Sequence, residues 1–228
     1  MMSRAFISLA ALLGAFNLPV AAADARNDFS IASNPNGDWS YGYSATLGGP
    51  FQTLTNRVTT AGNAYWYGPN PPLGGGPGYP IVGYVPSMPA TSLLLHPGQN
   101  GEYALLRWTS PLTGVADVAV TFAVGDSRPT TTDVHVLLNG VALFSGPIDG
   151  SNPSKAFSQS LSVSNGDKLD FAVGFGANGN YLFDSTLLTA TVSAVPEPSA
   201  LLLLLAGSGL VSFSVRAQGR KSHVHAEA

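Results

Sequence analysis

From residue 114 to residue 194, apolar and polar positions alternate with a period of two, and turn signals interrupt the alternation at short intervals. "VADVAVTFAV" places Val118, Val120, Phe122 and Val124 on one face of a strand. "DVHVLLNGVALFSG" predicts two strands joined at Asn139-Gly140, a pair that accepts positive φ at both central positions of a type I′ turn. "FSQSLSVSNGDKLDFAVGFG" repeats the scheme, with Asn165-Gly166-Asp167 as the turn and Leu169, Phe171, Val173 and Phe175 along one face. "STLLTATVS" predicts a last strand. The first half is less regular. "DWSYGYSATL" and "NAYWYG" predict aromatic strands, and "GPNPPLGGGPGYP" predicts a long loop that cannot be helix or central strand. No amphipathic helical period occurs between residues 24 and 194. The pattern predicts an all-β fold of two antiparallel sheets face to face, a jelly-roll-like β-sandwich.

Both ends break this pattern. Residues 1–23 carry Arg4, an apolar run from Ala5 to Phe16, Pro19 and small residues before Asp24. That order predicts a signal-peptide helix cut by signal peptidase between Ala23 and Asp24. Residues 200–215 are uninterruptedly apolar or small. As a helix they extend about 24 Å, which predicts a single C-terminal transmembrane helix in a locally thinned bilayer. Pro196 and Pro198 fix its start, and Arg216, Arg220 and Lys221 stop it on the cytoplasmic side, leaving residues 24–194 outside.

Composition narrows the class. Charged residues make up 10% of the 228, the net charge is −3, and there is no cysteine. Disulfides, thiolate metal sites and cysteine catalysis are therefore excluded. A body of about 170 residues can be stable without such staples. With no basic patch between Asp24 and Ala194, nucleic-acid binding is not expected.

Val195-Pro196-Glu197-Pro198, a leucine-rich run containing Gly207 and Gly209, and a basic tail together resemble the PEP-CTERM sorting signal. The resemblance implies that an exosortase-type enzyme recognises Pro196, Glu197 and Pro198 and cleaves nearby. It also implies release or attachment at the cell surface, in bacteria that make exopolysaccharide. The resulting division is a signal peptide at 1–23, an extracellular sandwich at 24–194, a sorting signal at 195–221 and a cytoplasmic tail at 222–228. The protein would begin as an inner-membrane-tethered precursor and end at the cell surface, in the outer envelope or in the matrix. Residues 92–193, with "LHPGQNGEYALLRWTSPLTGVADVAVTF", "TTDVHVLLNGVALFSG" and "NGDKLDFAVGFGANGNYLFDSTLL", are similar to galactose-binding-like and carbohydrate-binding jelly rolls. That similarity implies a binding or matrix domain.

Candidate chemistry is sparse. Trp39, Tyr65, Trp66 and Tyr67 are candidate sugar-stacking residues, because aromatic rings cover the apolar C–H faces of sugars; the plainer reading makes them core fillers. Asn36 and Asp38 in "NPNGDW", and Asp184 near another loop, are candidate calcium ligands, with turn capping as the alternative. Asp133 and His135 share one strand face, which a metal site or an acid–base pair could use; with Val134 and Val136 in the core, the plainer reading has them face water, and His96 is expected in a turn. "GFGANG" has the spacing of a dinucleotide loop but is followed by no helix, which predicts a plain loop. No catalytic residue is assigned and an enzyme is not expected. Two alternatives stand beside a polysaccharide-associated surface protein. One is a purely structural, self-associating surface protein. The other is a jelly-roll glycoside hydrolase or lyase using two of Asp117, Asp126, Asp133, Asp149 and Asp170.

Overall fold

The computed structural model describes residues 22–71 and 76–195. The expected membrane helix, the Pro196–Pro198 motif, Arg216, Arg220 and Lys221, and all but the end of the expected signal peptide lie outside the described residues. Among the described residues no helix is long and apolar enough to cross a membrane.

The described strands are β1 (Ala23–Asp24), β2 (Trp39–Ser44), β3 (Gln52–Thr53), β4 (Asn56–Thr60), β5 (Asn63–Asn70), β6 (Tyr79–Tyr84), β7 (Leu93–His96), β8 (Tyr103–Thr109), β9 (Gly114–Val124), β10 (Thr132–Leu138), β11 (Val141–Ile148), β12 (Ser154–Val163), β13 (Lys168–Gly174) and β14 (Thr186–Ala194). One sheet runs β12-β9-β14-β7-β6-β5-β4, with β1 also paired to β14; the other runs β11-β10-β13-β8-β2-β3. All pairings are antiparallel, so the body is the jelly-roll-like sandwich that the alternation predicts.

The core lies between the sheets, where Phe122, Leu188, Leu93, Leu95 and Val82 of the first meet Trp39, Tyr41, Leu106, Val136 and Phe171 of the second. Burying such side chains contributes roughly 1.5–3 kcal/mol each. Asn139 and Gly140 both have positive φ and join Leu138 to its partner Val141, as the Asn-Gly pair demands. The Pro/Gly stretch is less loop-like than its composition. β5 continues through Gly68 and Pro69 to Asn70, crossing a register irregularity after Tyr67 where an exposed proline costs no ladder hydrogen bond.

The second sheet is buried on both faces over much of its width. On its outer side Leu105, Leu137 and Ala172 form a small cluster, with Phe51 and Tyr103 packed against it. Phe51 belongs to the segment linking β2 to β3, and Gly48 of that segment reaches the Gly140 turn. This 45–51 strap explains why β13 is buried nearly throughout instead of alternating. Beneath it Arg107 makes a bidentate pair with Asp170, at 2.6 and 2.8 Å, and lies 4.2 Å from the Phe51 ring centroid.

Candidate functional site

Alternation along β5 sorts the three adjacent aromatics. Trp66 points inward, opposite Val82, and is 5% exposed. Its indole N–H donates to Ser30 O at 2.8 Å. Trp39 is 1% exposed and packs against Phe171. Neither indole offers a ring face to a ligand, so both are corrected to core residues; the sandwich needs large apolar side chains at its centre, and both indoles satisfy their N–H inside. Tyr65 and Tyr67 turn the other way and stay half-buried on the outer face of the first sheet.

Cross-strand register extends that face. Tyr65 lies opposite Gly83, Tyr67 opposite Ile81, and Ile81 opposite His96. Gly83 makes room for the phenol ring: a Cβ there would come within 2.5 Å of Tyr65 Cδ1 and 2.4 Å of Ala64 O. Tyr79, two residues before Ile81, is on the same side. Tyr181, from the β13–β14 loop, closes over it with ring centroids 5.2 Å apart and nearly perpendicular. His96 is not in a turn; it ends β7, buried against Tyr79 at 4.6 Å. Burial pushes the His96 imidazole below its ordinary range, so it is neutral at pH 7. Burial, then Tyr181 and Asp126, raise the Tyr79 phenol.

Beside these rings, Asn70 donates to Glu102 Oε1 at 2.8 Å, and Asn100 donates to Glu102 through its backbone (3.0 Å) and side chain (3.1 Å). Partial burial pushes the Glu102 carboxyl up, but these bonds outweigh it and hold it below the usual range. The result is a partly open apolar platform of phenol rings, rimmed by amide donors and one fixed carboxylate. Tyr181 was missed in the sequence because a distant loop brings it here; Tyr79 adjoins the Pro/Gly stretch in the sequence, but "YPIVGY" alone does not say which side faces out.

The calcium candidates do not converge. Asn36 and Asp38 lie beside the Trp39 end of β2, whereas Asp184 precedes β14 at the opposite end, where Thr186 Oγ1 meets Thr132 Oγ1 at 3.2 Å. Asn36 Oδ1 accepts from Ser33 Oγ and its Nδ2 donates to Asp28 O, which makes it a turn brace. Partial burial, then Asp28, raise the Asp38 carboxyl. Among the described residues no three His, Asp or Glu side chains are placed to share a metal ion.

The expected signal-peptidase boundary is described. Ala23 pairs with Val192, and Asp24 N–H donates to Asp28 Oδ2 at 2.8 Å. A chain beginning at Asp24 would place its new α-ammonium on that carboxylate.

Three of the five carboxylates available to a hydrolase are engaged separately: Asp117 with Ser160, Asp170 with Arg107, Asp149 with Asn152. The "GFGANG" stretch is the loop expected of it, and its glycines serve Asp133. Gly176, at φ 68°, donates its N–H to Asp133 Oδ1 at 2.9 Å, and a Cβ on Gly174 would meet the same oxygen.

Comparison with curated proteins gives no match. Among solved structures the chain is similar to a family 35 carbohydrate-binding module from Clostridium thermocellum, with 15% identity and a TM-score of 0.34, over 50% of this chain and 88% of that one. It is similar to a CBM35 from Paenibacillus barcinonensis with 11% identity and a TM-score of 0.30, over 77% of this chain and all of that one. It is similar to rabbit GITRL with 12% identity and a TM-score of 0.29, over 40% of this chain and 74% of that one. Residues 194–221 match the family described as the PEP-CTERM protein-sorting motif, and so carry the signal of an exported protein that is tethered in the membrane before an exosortase processes it.

Proposed function

We propose that this is a protein of the cell surface or extracellular matrix that associates, without catalysis at that face, with exopolysaccharide through the phenol face of Tyr65, Tyr67, Tyr79 and Tyr181. In this reading signal peptidase cuts after Ala23, the exosortase acts near Pro196–Pro198, and the sandwich is delivered outside the membrane. The carrying observation is the half-buried rings, which give apolar C–H faces a surface to stack on while Asn70, Asn100 and Glu102 stand within reach of hydroxyls. The low charge of the chain favours a neutral sugar polymer over a strongly anionic one.

The test is retention of the purified full chain on immobilised neutral and acidic polysaccharides, with and without calcium. Retention on a neutral polymer, unaffected by calcium and weakened about tenfold in Tyr181→Ala, is expected from the loss of one stacked ring. Retention on no polymer, or retention indifferent to Tyr65→Ala and Tyr181→Ala together, would remove the sugar-binding reading.

A second reading is supported by one surface. The outer face of β12, β9 and β14 is lined by small side chains, among them Ala119, Thr121, Ala156, Ser158, Thr189 and Thr191. Ten-residue β12 forms the edge of that sheet. Such an edge suits self-association of a structural surface protein. Light scattering that rises with protein concentration and falls when Ser158→Lys blocks the face would favour it.

A further inference from the structure

The outer face of the second sheet carries a different constellation. Cross-strand register sets His135 opposite Ser145, and Asp133 lies two residues earlier on the same face of β10. Ser145 Oγ is 2.7 Å from His135 Nδ1, and His135 Nε2 is 2.7 Å from Asp133 Oδ2. His135 was expected to face water but is only 7% exposed, because Tyr103 lies edge-on against it at 5.7 Å. Ser145 itself is exposed, on edge strand β11.

With His135 neutral, proton inventory sets the direction of each bond. Burial pushes the Asp133 carboxyl up, but hydrogen bonds from His135, the Gly176 N–H and Tyr103 outweigh it and hold it below the usual range. Burial, then the Asp133 charge, raise the Tyr103 phenol to about 12, so it stays a donor. An ionised carboxylate only accepts, so the His135 proton sits on Nε2. In the neutral ring Nδ1 is then a lone pair, and the bond from Ser145 must be donated by its hydroxyl. An exposed hydroxyl thus points its proton at a base whose tautomer a carboxylate dictates. This is the arrangement that activates a serine nucleophile.

We propose that Ser145 is an activated nucleophile that accepts the acyl group of small carboxylic esters, with His135 as its base and Asp133 as a positioning residue. Ser145 Oγ bonds to the ester carbonyl carbon while its proton passes to His135 Nδ1, and Nε2–H remains on Asp133. The carbon–oxygen bond to the alcohol then breaks, and the alcohol leaves with the Nδ1 proton. Water, deprotonated by the same nitrogen, releases the acid and restores Ser145. Gly146 and Pro147 follow the serine and exposed Leu143 lies two residues before it, a short aliphatic surface that suits a small acyl group. The site is independent of the tyrosine face.

The test uses the full chain treated with diisopropyl fluorophosphate and mapped by peptide mass spectrometry. The expected result is a phosphoryl adduct on Ser145 forming about 100-fold faster than on exposed Ser158, with that advantage lost in His135→Gln. Because Asp133→Asn also loosens the bond to Gly176, the role of Asp133 is read in the unmodified protein from imidazole ¹⁵N shifts, which should show protonated Nε2 and bare Nδ1. Equal labelling of Ser145 and Ser158, labelling unchanged in His135→Gln, or a protonated Nδ1 would each overturn the proposal.

Discussion

Asp184 shows how one residue's surroundings set a measurable property. It is 0% exposed, its Oδ1 accepts from Thr131 N–H at 3.0 Å, and its Oδ2 has no partner. Burial, then Asp126 and Asp133, push its carboxyl up to about 6. Between pH 4 and 6 the folded chain therefore holds a proton that the unfolded chain has released, so this group makes stability fall as pH rises through that window. Asp184→Asn should be more stable than the parent by about 1–3 kcal/mol at pH 7 and equal to it at pH 4, as measured by urea unfolding. The opposite slope contributed by His96, whose lowered value costs stability on acidification, is common to both proteins and cancels. Parallel stability curves for the two proteins would contradict the burial account. At this scale the sequence was informative about residue type and silent about direction. "YWY" contains one core indole and two surface phenols, and only the register of β5 against β6 tells them apart.

At the scale of elements, the alternation of β9 and the Asn139-Gly140 turn are written locally and hold in the fold. The double burial of β13 is not, because the 45–51 strap that covers it is a loop with no period of its own. The ion pair under the strap is equally invisible, since Arg107 and Asp170 meet only through the β8–β13 register. It carries a clear expectation. Arg107→Ala leaves Asp170 buried without its partner and should cost about 3–5 kcal/mol in chemical denaturation. Arg107→Met combined with Asp170→Leu should recover most of that loss, because two apolar side chains need no pairing. If the double variant is as unstable as Arg107→Ala, packing of the strap rather than charge burial is responsible. Ser145 belongs to this scale too: nothing in "LFSGP" marks a nucleophile until β10 sets His135 opposite it.

For the whole molecule, the chain reads as an all-β body of low charge placed between two apolar ends, one of which carries the sorting motif. The sorting motif was the most legible part of the sequence, because prolines, an apolar run and basic stops act without tertiary context. The phenol face was the least legible part, because it is assembled from strands and a loop more than 100 residues apart, Tyr65 and Tyr181 among them. The most direct measurement is intact-mass and terminal-peptide mass spectrometry of the protein recovered from the cell surface and medium. The account predicts a chain that starts at Asp24, ends close to Pro196–Pro198 and lacks the leucine-rich run. Full-length protein in the cytosol, with Met1 and Ala228 both present, would contradict it.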